Sequence, residues 1–155
     1  MKKYKHAKTV GNETESIVES WYQEAGILYK REDTMRNTRT RSKGSVDFES
    51  DTSAVEVKKF TKLLTFKYKS EDHDLKWSQI EYLNKQEIKG KVAGILISEN
   101  NIEFVFIRIS NFIKWWTDNT RKSINLDIAK SIGCVVLNSK DLKKALEVVW
   151  EKEQF

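Results

Sequence analysis

In the stretch SVDFESDTSAVEVKKF, Ser45 to Phe60, three residues have types and spacing suited to chemistry: Asp47, Glu56 and Lys58. Two runs with apolar residues at alternate positions, SVDFE and AVEVK, are joined by the small polar segment SDTS. That is the pattern of two antiparallel strands and their turn, and closing the turn sets Asp47 across from Glu56. Side chains alternate along a strand, so Val55 and Val57 take one face while Glu56 and Lys58 take the other, beside Asp47. Acids directly opposed on a sheet repel each other and call for a compensating charge. Oxygen ligands of this kind suit Mg²⁺ or Mn²⁺, which keep water in their shell and meet a substrate phosphate. Such a metal would activate water and polarise a phosphoryl oxygen, with Lys58 offsetting charge that develops in the transition state. These are the parts of a phosphodiesterase. Taken alone, acid-x-lysine is a very short motif, and it favours the plainer reading of a solvent-facing pair on an edge strand with Asp47 near a turn.

The elements that must hold these residues can be read along the chain. Its 155 residues, 39% of them hydrophobic, predict one domain with a real core. The segment GNETESIVESWYQEAG places Ile17, Val18, Trp21 and Tyr22 at helical spacing and ends at Gly26, a natural helix terminus. A short strand around ILYK follows. In DLKWSQIEYLNKQEI, Leu75, Ile80, Leu83 and Ile88, with Trp77, mark one face of a helix started by Asp72 or Asp74. VAGILIS and IEFVFIRI are apolar on both pleat faces and read as central strands. SNFIKWW begins an aromatic helix, NLDIAKSIG a second, CVVL a last strand, and SKDLKKALEVVWEKE a final helix with Leu142, Ala145, Leu146, Val149 and Trp150 inward. The fold class is α/β, a central mixed β-sheet flanked by helices.

Net charge +5 favours a polyanionic partner. The polar stretch REDTMRNTRTRSKG, Arg31 to Gly44, has neither helical nor strand periodicity and reads as a basic arm. Its run Arg36, Arg39, Arg41 and Lys43 contains no acid, as expected of a segment that tracks phosphates, and Arg121 with Lys122 forms a second basic step. Trp115 and Trp116 are of a type that stacks on bases, although packing of a short amphipathic helix is the commoner use. One cysteine, Cys134, builds neither a disulfide framework nor a cysteine zinc site within one chain, which suits a cytoplasmic setting. No apolar run reaches membrane-span length, and MKKYKHAK lacks the apolar stretch of a signal peptide.

The order of these pieces resembles the PD-(D/E)XK nuclease superfamily, and within it the RecU-type Holliday junction resolvases of bacteria and their phages. GNETE resembles the glycine-x-x-hydrophobe-glutamate opening of that family, with Thr14 in place of the hydrophobe. SVD stands where the family has threonine-x-aspartate, AVEVKK where it has glutamate-x-lysine, and WSQIEYL where it has histidine-glutamine-x-glutamate on a helix. WW, RKSI and a short helix ending in glycine continue the likeness, which spans Gly11 to about Leu137. The resemblance implies a restriction-endonuclease-like core and a homodimeric, Mg²⁺-dependent endonuclease that nicks opposed strands of a DNA four-way junction. It also implies metal ligands at Ser45, Asp47, Glu56 and Gln79, a transition-state stabiliser at Lys58, and Glu15 orienting Lys58 or an outer water. Ser45 keeps a hydroxyl on the pleat face of Asp47. The stalk that such resolvases carry before the aspartate is reduced here to REDTMRNTRTRSKG.

Overall fold

A computed structural model describes residues 2–31, 46–119 and 123–147, with side chains from residue 13 onward in the first helix. Ser45, the arm residues Arg36, Arg39, Arg41 and Lys43, and the Arg121–Lys122 step lie outside the described residues, as do Val149 and Trp150.

Six strands make the main sheet: β1 (Lys30–Arg31), β2 (Phe48–Glu49), β3 (Ser53–Lys59), β5 (Val92–Ser98), β6 (Phe104–Arg108) and β8 (Cys134–Val136), side by side in that order. β3 and β5 run parallel, and every other neighbouring pair is antiparallel. A separate ribbon pairs β4 (Leu64–Thr65) with β7 (Ser123–Ile124). A parallel pair needs a crossover, and here α2 (Trp77–Ile88) lies within the connection. α3 (Ile109–Asn119) and α4 (Leu126–Ile132) follow β6 and β7, while α1 (Lys2–Ala25) and α5 (Ser139–Ala145) pack against each other. The chain is therefore α/β, with a mixed central sheet flanked by helices.

The sheet divides the core into two apolar layers. On one face Ala54, Ala93, Ile95, Ile97, Val105 and Ile107 meet Ile80 and Leu83 of α2 and Phe112 of α3. On the other, Val55, Val57, Leu96, Phe104 and Phe106 meet Val18, Trp21 and Tyr22 of α1 and Leu142 and Leu146 near α5. Burying a side chain of this size contributes about 1.5–3 kcal/mol, so alternation along β3 fixes which residues face which helix. β5 is buried along its whole length, as expected of a central strand. Gly94 sits where a Cβ would come within 2.3 Å of the Ile107 carbonyl oxygen, so the close approach of β5 and β6 requires glycine.

Several boundaries differ from those the sequence suggests. α1 begins at Lys2 rather than near Gly11, and it ends as expected, with Gly26 at φ +74°. The first strand is Lys30–Arg31, not Ile27–Lys30. α2 starts at Trp77, because Asp74 accepts hydrogen bonds from the Thr65 amide and hydroxyl instead of capping the helix. Glu71 reaches forward to the Ser78 amide at 2.8 Å. Ile88, the last residue of α2, is 77% exposed and lies off the helix's apolar face. β8 is an edge strand with Cys134 and Val135 exposed. No helix among the described residues is long and apolar enough to cross a membrane.

Candidate active site

The β2–β3 hairpin forms because its turn satisfies its own polar groups. Ser50 N–H donates to the Ser53 carbonyl at 2.8 Å, and the Ser50 hydroxyl accepts from the amides of Thr52 and Ser53. The resulting register pairs Phe48 with Val55 and Glu49 with Ala54, and its continuation sets Asp47 across from Glu56. Phe48 turns to the α1 layer and stacks on Tyr22, centroids 4.8 Å apart and planes 10° from parallel. Asp47 and Glu56 are left for the α2 side.

Each acid has one oxygen engaged by nitrogen donors. Asp47 Oδ2 accepts from the Val57 amide at 2.9 Å, which ties the aspartate to the strand opposite. Glu56 Oε2 accepts from the Gln79 amide nitrogen at 2.8 Å and lies 3.3 Å from the Lys58 ammonium. Glu56 is only 3% exposed, and burial, followed by the Asp47 charge, pushes its carboxyl well above the usual range, with Lys58 pulling the other way. Burial also raises Asp47, opposed by the Val57 amide and by the charges of Lys58 and Arg31. Two desolvated acids thus share one adjacent ammonium, an arrangement short of positive charge.

α2 covers this corner through two residues three apart. Gln79 reaches Glu56, and one turn later the Tyr82 hydroxyl donates to Glu49 at 2.7 Å, where Lys91 also pairs at 3.2 Å. Glu49 shares the pleat face of Asp47, so both bonds dock the helix on the hairpin's acidic side. The spacing of Gln79 and Tyr82 in WSQIEYL carries this signal, but the partner Glu49 is distant in sequence. Gln79 Oε1 is occupied in accepting from the Lys76 amide at 3.0 Å. In this orientation Gln79 turns its nitrogen, not an oxygen ligand, toward the acids.

Glu15 belongs to an adjoining cluster on the α1 side. Arg31, its side chain only 8% exposed, pairs with Glu15 at 2.7 Å and Glu19 at 2.8 Å, and lies 4.5 Å from the Phe48 ring centroid. Tyr29 also donates to Glu19. The link from Glu15 to the acid pair runs through Arg31, whose charge acts on Asp47. No local pattern announces this cluster, because the remainder of α1 separates its acids from Arg31.

A hard divalent cation fits these residues. Mg²⁺ is commonly held by one or two carboxylates, with water and substrate phosphate completing the shell. The pair offers two converging carboxylates in a buried corner short of positive charge. Among the described residues no group of three or more His, Cys, Asp or Glu is placed to hold a metal. No protein-family model matches the sequence, and no curated protein matches it.

Proposed function

We propose that this protein is a Mg²⁺-dependent endodeoxyribonuclease of PD-(D/E)XK type, with a restriction-endonuclease-like core, acting as a homodimer on DNA four-way junctions in the cytoplasm. One observation carries the reading: buried Glu56 stands across the hairpin from Asp47 with the Lys58 ammonium 3.3 Å away. A solvent-facing pair on an edge strand would be neither buried nor covered by a helix, and β3 lies inside the sheet.

Asp47 and Glu56 are the residues that would hold Mg²⁺ or Mn²⁺, together with the Ser45 hydroxyl. When bound, the ion would supply Lewis acidity toward a phosphate oxygen and acidify a water. The protein's own groups do the rest. Lys58 offsets negative charge that gathers on the phosphate oxygens as the water attacks. Gln79 fixes the Glu56 carboxylate by donation, and the Val57 amide fixes Asp47. Arg36, Arg39, Arg41, Lys43, Arg121 and Lys122 would neutralise phosphates along the bound strands. Two symmetric nicks call for two sites, which a two-fold dimer provides.

A second reading, the same chemistry on another DNA substrate in restriction, repair or phage DNA processing, is favoured by the short span from Arg31 to Gly44 where resolvases carry their stalk. The test incubates labelled four-way junction, duplex and single strand with the protein, with and without Mg²⁺. Metal-dependent nicking of the junction, by a species that sediments as a dimer, is the expected result. Full cleavage by Asp47→Asn would end the metal-site reading. A monomer that binds junction and duplex equally would leave the second reading in place of the first.

A further inference from the structure

α2 rests on the sheet by a narrow apolar seam. Ile80 and Leu83 are its buried apolar side chains, Gln86 is its third buried residue, and Trp77 and Tyr82 pack at the margins. Apolar burial scales with area and carries no direction, so this seam holds the helix down while setting its roll about its own axis only loosely. Hydrogen bonds supply direction. Two of them reach from α2 to the acid-bearing face of the β2–β3 hairpin: the Gln79 amide nitrogen to Glu56 at 2.8 Å, and the Tyr82 hydroxyl to Glu49.

The Glu49 attachment is firmly built. The Tyr82 hydroxyl lies 2.7 Å from each carboxylate oxygen, so the phenol is centred on the group it donates to. A hydroxyl on a carboxylate at this distance is a charge-assisted bond, about twice as strong as one between neutral groups. Lys91, which immediately precedes β5, pairs with the same carboxylate at 3.2 Å. Glu49 is thereby gripped from the helix and from the entry to the next strand. Lys91 also offsets the charge of this acid, which shares the pleat face of Asp47 two residues away. Ala54, directly across from Glu49, belongs to the apolar layer under α2.

Gln79 and Tyr82 are three residues apart, so they stand on one face of α2, separated by about 4.5 Å along its axis. A helix pinned at one of these points can roll about it, and a helix pinned at both cannot. We propose that Tyr82 is a positioning residue for the acid pair: by holding Glu49 it fixes the roll of α2, and with it the approach of the Gln79 amide to Glu56. The inference rests on the nuclease reading and deepens it, adding a residue outside the acid pair on which metal capture depends. Because Tyr82 acts through Gln79, its effect on metal affinity is smaller than that of Gln79 and disappears when Gln79 is absent.

Mn²⁺ binding to the full chain without DNA, followed by the electron spin resonance of the free ion, tests this. Tyr82→Phe keeps the ring and loses the hydroxyl, and it should weaken Mn²⁺ binding about three- to ten-fold, less than the ~10–100-fold expected for a group that bonds the ligand itself. Glu49→Asp, which keeps the charge but withdraws the carboxylate from Tyr82, should weaken it to a similar extent. On a Gln79→Ala background, Tyr82→Phe should change affinity by less than about two-fold. A hydroxyl that only steadies the fold would lower the melting temperature and leave the affinity of the folded protein unmoved. Equal Mn²⁺ affinity of parent, Tyr82→Phe and Glu49→Asp therefore overturns the inference while leaving the nuclease reading standing, and so does an equal loss from Tyr82→Phe with and without Gln79. A parent that binds no Mn²⁺, or whose binding survives Asp47→Asn undiminished, overturns both.

Discussion

Gln79 and Glu56 meet across 2.8 Å, the amide nitrogen of a helix residue holding a carboxylate that belongs to a buried strand. The donation is neutral, so it orients Glu56 without cancelling its charge, and the same side chain closes the first turn of α2 through Lys76. One residue thereby sets both where the helix begins and which way the acid faces.

The first prediction concerns that hydrogen bond. Gln79→Ala should raise the Mg²⁺ concentration needed for half-maximal cleavage by about 10- to 100-fold, the usual effect of removing a group that orients a metal ligand. A Mg²⁺ titration of nicking, paired with the Mg²⁺-induced rise in melting temperature, measures it. An unmoved midpoint in both would show that Gln79 serves the helix alone.

Under the proposed function, Lys58 should separate binding from turnover. Its ammonium sits at the acid pair, whereas under the proposed function affinity for DNA would rest on phosphate contacts elsewhere. Lys58→Ala should lose cleavage by at least about 100-fold and keep its affinity for junction DNA within about two-fold. Gel-shift and single-turnover assays on one preparation suffice, and a variant that still cleaves would remove Lys58 from the chemistry.

Glu56 makes stability depend on pH in an unusual direction. Its carboxyl is raised by burial and by the Asp47 charge, so without metal the folded chain keeps a proton that the unfolded chain releases. The penalty is absent below the ordinary glutamate value of 4.5 and grows as pH climbs from there through the raised folded value. Glu56→Gln should therefore melt like the parent at about pH 4 and progressively above it toward neutrality. A gap of about 2–4 °C corresponds to roughly 1 kcal/mol in a domain of this size. Melting curves across pH in chelator check this, and parallel pH profiles for the two proteins would contradict it.

How much of this is legible in the sequence depends on how local the physics is. The hairpin can be read because strict alternation around SDTS allows one register, and that register alone brings Asp47 to Glu56. β5 and β6 can be read because burial on both faces demands unbroken apolar runs. The start of α2 cannot, because Asp72 and Asp74 look like caps until Thr65, which claims Asp74, is placed beside them. The ribbon of Leu64–Thr65 with Ser123–Ile124 joins two-residue strands, too short for any period to show. Arg31 likewise reads as the start of a polar arm, and only the packing of α1 against β1 and β2 discloses it as a buried partner of Glu15 and Glu19.

The arm supplies the last prediction. Replacing Arg36, Arg39 and Arg41 with alanine should weaken duplex binding and flatten its salt dependence by about 0.9 in log–log slope for each phosphate no longer neutralised. Binding isotherms at several salt concentrations give the slope directly. A slope equal to that of the parent would mean that these side chains never meet the DNA backbone.

The parallel pairing of β3 with β5 bears on how the site comes into being. A hairpin can close within microseconds from neighbouring residues, but a parallel neighbour must return from across a long connection, whose closure entropy is met before its contacts form. Asp47, Glu56 and Lys58 can therefore be juxtaposed early, in water, where their charges are screened. Their desolvation, and the grip of Gln79, arrive only when α2 has swung over and β5 has zipped alongside β3. A chain arrested before that step would hold all three charged residues in order and still lack the dry corner in which they matter, so the capacity for cleavage is expected to appear last in folding and to vanish first in unfolding.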